Sequence, residues 1–189
     1  MLQFISMEEA YGEIEKRASR RLIPTALVPL EDAVGRILAE PAVAKLSIPP
    51  FNNSARDGVV LSASGLSVVK GGRPVKIAGE LRAGDSVEVA DGIDGDAARI
   101  MTGAPVPSWA EAIVMIEDLT LNDDGTVMIN RIPEPGAWIR PKGSDIAEMS
   151  AILTPGRQII PEHVQALASS GVVEAVIHTK PRVGLCSTG

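Results

Sequence analysis

Ile48-Pro49-Pro50-Phe51-Asn52-Asn53-Ser54-Ala55-Arg56-Asp57-Gly58-Val59-Val60-Leu61 is where the character of the chain changes. The two prolines hold the backbone extended. A dense polar run follows, and Val59–Leu61 starts a strand. Beyond it, short apolar stretches alternate with Gly, Asp and Pro: Val75–Ala78, Val87–Val89 and Ala112–Ile116. Leu119-Thr120-Leu121 and Val127-Met128-Ile129 flank Asn122-Asp123-Asp124-Gly125, which is a hairpin signature. Residues 48–145 therefore predict a small all-β unit of short strands.

On either side of this unit the pattern is mixed. Ser6-Met7-Glu8-Glu9 is a capping box, and Ala10, Ile14 and Ala18 recur at four-residue spacing. An amphipathic helix should run from there and end before Pro24. Pro29-Leu30-Glu31-Asp32 opens a second, short helix that Gly35 would stop. Leu38 to Leu46 reads as extended, with Pro41 at a strand margin. After the β unit, Pro161 suits a first helical turn, Val164, Leu167 and Ala168 share a face, and Gly171 suits the stop. Val172 to Ile177 reads as a strand. The expected architecture is α+β and β-rich: residues 48–145 inserted into a discontinuous mixed α/β subdomain, 1–47 plus 146–180. Arg182-Val183-Gly184-Leu185-Cys186 resembles a buried strand of a parallel sheet, and Ser187-Thr188-Gly189 a turn into a helix. Residues 181–189 are thus read as the first strand of a further α/β domain.

Composition narrows the function. The chain has 189 residues with 18 glycines and 14 prolines, which favours turns and short elements over a helical bundle. The net charge of −6 and an aromatic content of 3% speak against nucleic acid as a partner, since phosphates repel such a surface and bases have little to stack on. A single cysteine, Cys186, excludes an internal disulfide framework and a cysteine-rich zinc site. No apolar run reaches the roughly 18 residues of a membrane span. A cytoplasmic protein without membrane contact is the expectation. Glu80 to Gly125 carries eleven acidic residues against Arg82 and Arg99, which reads as a solvated acidic face.

Three segments carry candidate chemistry. Phe51–Gly58 can present Ser54, Arg56 and Asp57 to a ligand, or can serve as an Asx turn entering the strand. In Arg99-Ile100-Met101-Thr102-Gly103-Ala104-Pro105-Val106-Pro107 a strand runs into a proline-stiffened loop. There Gly103 lets backbone N–H groups approach an anion and Thr102 can donate its hydroxyl. A plain Pro-rich connection has the same composition. Arg140-Pro141-Lys142-Gly143-Ser144-Asp145 places two cations beside a carboxylate, which suits a phosphate with Mg²⁺ or a solvated turn. No GxGxxG, Walker A, GxSxG or HExxH motif is present. Cys186, in an apolar strand, would be inert.

Together, Gly35-Arg36-Ile37-Leu38-Ala39, Pro50–Gly58, Arg99–Pro107, Gly143-Ser144-Asp145-Ile146 and Ser187-Thr188-Gly189, in this order, resemble the N-terminal part of the molybdopterin molybdenumtransferases, the MoeA family that includes the gephyrin E domain. The resemblance covers nearly the whole chain. It implies insertion of molybdate into adenylylated molybdopterin with release of AMP and with Mg²⁺. It implies an elongated homodimer of four-domain chains, with the site shared between the second domain of one subunit and the third of the other. Asp57, Thr102 and Asp145 match the catalytic residues on the second-domain side. Asp57 and Asp145 would hold Mg²⁺, and Ser54, Gly103, Arg140 and Lys142 would bind substrate anions. Asn52, Arg56, Val59 and Ser144 depart from the family's usual acidic, Met, aromatic and Glu residues. A fragment of this length would hold half a site and be inactive alone. A non-catalytic dimerisation or docking module, or a molybdopterin-binding paralogue without turnover, fits the same residues.

Overall fold

The computed structural model describes residues 5–19 and 23–187. The chain forms two units: Met1–Val43 with Ala151–Gly189, and Ala44–Ser150 between them. The division falls at 43/44 and 150/151, not at 47/48 and 145/146. Ala44 N–H donates to Ser150 O at 2.9 Å and Ile48 bridges Ile146. These pairings tie the incoming and outgoing strands to the inserted unit.

In the first unit, α1 (Met7–Ala18) starts at Ser6, whose hydroxyl accepts from Glu9 N–H at 3.1 Å. The Glu9 carboxylate accepts from Ser6 N–H at 2.8 Å in return, so the capping box is complete. Lys16 and Arg17 in its last turn oppose the helix dipole. β1 (Thr25–Pro29) pairs antiparallel with β12 (Glu174–His178), from Thr25↔His178 to Pro29↔Glu174. Leu30–Asp32 is a single 3₁₀ turn, shorter than the helix expected there. β2 (Ala42–Val43) pairs with β11 (Ala151–Leu153). α4 (Pro161–Ser169) has proline at its start, and His163 Nδ1 accepts from Ile160 N–H at 3.3 Å. Leu30, Leu38, Ile159, Leu167 and Ile177 form the core between these elements.

The second unit is a six-stranded sheet in the order β7-β4-β6-β5-β9-β8. Its strands are β4 (Gly58–Ser62), β5 (Val75–Leu81), β6 (Ala97–Ile100), β7 (Ala110–Met115), β8 (Leu119–Leu121) and β9 (Thr126–Ile129). All pairs are antiparallel except β5 with β6. The hairpin at Asn122–Gly125 is as expected. β4 is buried along its whole length. Val59 and Leu61 face one apolar cluster with Val114 and Val127, and Val60 faces another with Ile100 and Ile113. Side chains alternating between two covered faces explain the uninterrupted Val-Val-Leu run.

The unit is β-rich but also carries two helices, where strands alone were expected: α2 (Ala63–Lys70) and α3 (Val87–Asp91). Their valines favour strands. Serine caps override that preference: Ser62 accepts from Gly65 N–H at 3.1 Å and Ser86 from Val89 N–H at 3.3 Å. Arg182–Cys186, read as the first strand of a further α/β domain, pair with no strand among the described residues and are exposed, Leu185 at 97% and Cys186 with it. An apolar strand forms only where a sheet receives it. Thr188 and Gly189, read as part of a turn, lie outside the described residues.

Gly58 joins the polar run to β4, and a Cβ there would stand 1.8 Å from Val114 O. Only glycine fits under this neighbouring backbone. Gly58→Ala should destabilise the chain by about 2–4 kcal/mol. Gly12→Ala, with nothing within 4 Å of its Cβ, should be neutral or slightly stabilising. Urea unfolding followed by circular dichroism compares the two.

Candidate functional site

The three candidate segments are far apart in sequence, and the backbone brings them together. The extended run Asn52–Ala55 lies between the other two. On one side Ser54 N–H donates to Ala104 O at 3.0 Å, Gly103 N–H to Ser54 O at 2.8 Å and Val106 N–H to Asn52 O at 2.8 Å. On the other, β3 (Asn53–Ser54) pairs with β10 (Ile139–Arg140), Ser54 opposite Ile139 and Asn53 opposite Arg140. Ala55 N–H donates to Trp138 O at 2.9 Å. Asn52 Oδ1 accepts from Lys142 N–H at 2.8 Å and fastens the third segment to the first.

Within this frame Asp57 and Thr102 meet. Asp57 Oδ1 accepts from both the Thr102 backbone N–H and its hydroxyl, each at 2.7 Å. These bonds, the hydroxyl's first, hold the Asp57 carboxyl below its ordinary value near 3.8. It is ionised at neutral pH. Among the described residues nothing bonds Oδ2. Gly103 has φ +84°, a left-handed conformation that suits glycine and turns the loop back towards Ser54.

The remaining predicted residues divide. Ser54 is buried, and its hydroxyl donates to Arg56 O at 2.5 Å. It shapes the turn before Asp57, the local-turn alternative that the sequence left open. Arg140 forms an ion pair with Asp145, both about half exposed. These two were expected to act separately, on anion and metal; the fold couples them. Asp145 N–H also donates to Ile48 O at 2.9 Å. The Lys142 side chain is exposed and makes no ion pair among the described residues.

Some neighbours escaped sequence reasoning. Arg56 lies over the Trp138 ring, 4.9 Å from its centroid, and Trp138 has φ +60°. Such a conformation is uncommon for a bulky residue and clusters at functional sites. Nothing in the linear pattern pairs residues 56 and 138. Asn53 Oδ1 is buried without a partner in the protein. A cavity of about 300 Å³ opens beside Asp57, lined by Val59, Arg99, Met101 and Val127 among others.

Among the described residues no group of three His, Cys, Asp or Glu side chains stands close enough to hold a metal. Nor is any described helix long and apolar enough to cross a membrane. The site therefore offers one ionised carboxylate with a free oxygen, a hydroxyl, a left-handed glycine loop and cations at its margin. That is the chemistry of an anionic substrate.

Residues 5–171 match the MoeA N-terminal region (domain I and II), and the chain belongs to that family. A molybdopterin molybdenumtransferase of Haemophilus influenzae is 34% identical over 87% of this chain and 40% of its own length. Molybdopterin molybdenumtransferase 2 of Mycobacterium tuberculosis is 37% identical over 86% of the chain and 40% of its own. The crystal structure of a molybdopterin biosynthesis MoeA protein from Pyrococcus horikoshii superposes with a TM-score of 0.78 at 27% identity, over 95% of this chain and 45% of that one. The chain thus spans about two fifths of the length of these curated relatives.

Thr102→Val removes one of the two bonds to Asp57 Oδ1. The Asp57 pKa should rise towards the ordinary carboxylate value while the backbone bond keeps it partly lowered. The stability that this depressed pKa confers is complete above about pH 4 and lost as pH falls through the folded-state value. The wild type should therefore exceed Thr102→Val in stability at neutral pH, by a margin that shrinks at acid pH. Carbon-detected NMR titration of the carboxyl, with thermal unfolding at neutral and at acid pH, checks this.

Proposed function

We propose that this chain supplies the first two domains of a molybdopterin molybdenumtransferase, which inserts molybdate into adenylylated molybdopterin and releases AMP. The observation that carries the reading is the meeting of Asp57 with Thr102 on a frame where three distant segments are hydrogen-bonded together. The whole enzyme is proposed to be a cytoplasmic homodimer, with the complementary half of each site on the partner subunit.

Mg²⁺ fits the residues present in a restricted way. Asp57 has a free oxygen, whereas Asp145 is engaged by Arg140. Mg²⁺ usually keeps several waters and takes one or two carboxylates besides substrate phosphates. Asp57 would be its protein ligand, and Asp145 a second only if Arg140 turns to the substrate. When bound, Mg²⁺ neutralises charge on the phosphate oxygens. The protein's own groups do the positioning. The Thr102 hydroxyl fixes the orientation of the Asp57 carboxylate. The Gly103 loop holds that hydroxyl in register with Ser54. Lys142, and Arg140 once released from Asp145, offset the charge of two anionic reactants in an otherwise acidic chain.

In the complete enzyme, Asp57→Ala should lower molybdenum insertion about a hundredfold or more, with the dimer unchanged by light scattering. The 189-residue chain alone should form no cofactor. Wild-type turnover by the variant would remove Asp57 from the chemistry, and turnover by the chain alone would remove the shared site.

A further inference from the structure

The cavity beside Asp57 has a composition that the reaction itself does not explain. Ile77, Leu119 and Val127 wall it, and Met101 adds a polarisable thioether. These walls belong to the apolar cluster of the sheet, Val127 buried and Ile77 and Leu119 partly buried. Arg99 stands at the rim on β6. Its register partner across the β5–β6 pair is Glu80, which bonds Arg82 instead, at 3.0 Å. Among the described residues Arg99 makes no ion pair. An unpaired guanidinium therefore borders an apolar slot of about 300 Å³. That volume is at the lower end of the range for small-ligand sites, about 300–1,000 Å³.

We infer that this cavity binds a fused nitrogen heteroaromatic ring, with Arg99 holding the ring's anionic tail. The inference rests on the proposed function, whose substrate carries two such rings, and it names where one of them lies. Aliphatic walls can enclose a ring face, and the planar fork of arginine matches phosphate or carboxylate oxygens in a bidentate way. The slot is too small for the whole dinucleotide-like substrate. The rest must extend past Asp57 towards Thr102. Arg99 thus acts as a specificity residue distinct from Asp57.

The test titrates this chain with AMP and, separately, with pterin-6-carboxylate, a pteridine with an acid tail. Methyl NMR of Ile77, Leu119 and Val127 reports occupancy. One of the two probes should bind saturably and shift these methyls, which identifies the ring as nucleotide or pterin. Arg99→Gln should weaken that binding about tenfold or more, and Arg99→Lys should restore part of it. Arg99 is exposed, so the amide spectrum of the sheet should not change. Saturation by neither probe at millimolar concentration, shifts confined to other residues, or equal affinity in Arg99→Gln would each overturn the inference. A complete enzyme that binds the ring normally but inserts no molybdenum would overturn the proposed function and leave this inference standing.

Discussion

The site depends on the backbone pairing of one extended segment, Asn52–Ala55, with Gly103–Val106 on one side and Trp138–Arg140 on the other. Each bond is ordinary, contributing about 0.5–1.5 kcal/mol net. Their effect is geometric. They fix the two loops to the strand that becomes β4, whose side chains are buried on both faces. Gly58 lets that strand pass beneath Val114, so the polar run is delivered at one place on the sheet. Asp57 and Thr102, 45 residues apart, meet because of this and not because of any local preference.

This accounts for what could be read from the sequence. Elements set by neighbours in the chain were legible: the Ser6–Glu9 box of α1, the Asn122–Gly125 hairpin and the Pro161 start of α4. The β-rich mixed architecture followed from turn residues between short apolar runs. Two features were hidden by competing preferences. Val87 and Val89 suggested a strand, and the serine cap at 86 decided for a helix, as the cap at 62 did for α2. Arg182–Cys186 has the composition of a strand, but pairing is a property of two segments, and among the described residues it pairs with none. Within the site, the residue types were legible and the partnerships were not. Arg140 and Asp145 looked like separate tools and form one ion pair. Arg56 stacks on a tryptophan 82 positions away. The second follows from the β3–β10 register, which places Trp138 beside the run leading to Arg56 and which no local pattern encodes.

The charge distribution gives the arrangement its sense. An acidic chain of net charge −6 meets anions poorly unless cations are concentrated where they arrive. Here the cations gather at the joined loops. Arg140 is held by Asp145, Lys142 is free, and Arg99 stands at the cavity rim. Asp57 is the exception, a carboxylate held in place by Thr102 among groups suited to anions. Such a carboxylate is useful where a divalent cation accompanies a phosphate, which is the setting of the proposed function.

The central claim is that the three segments form one cooperative unit with the sheet. Native-state hydrogen exchange measures this directly. The amides of Ser54, Gly103 and Val106 should exchange as slowly as those of β4 and β6 and respond to denaturant together with them. Exchange of these three amides at the rate of free loops, while β4 stays protected, would contradict the account.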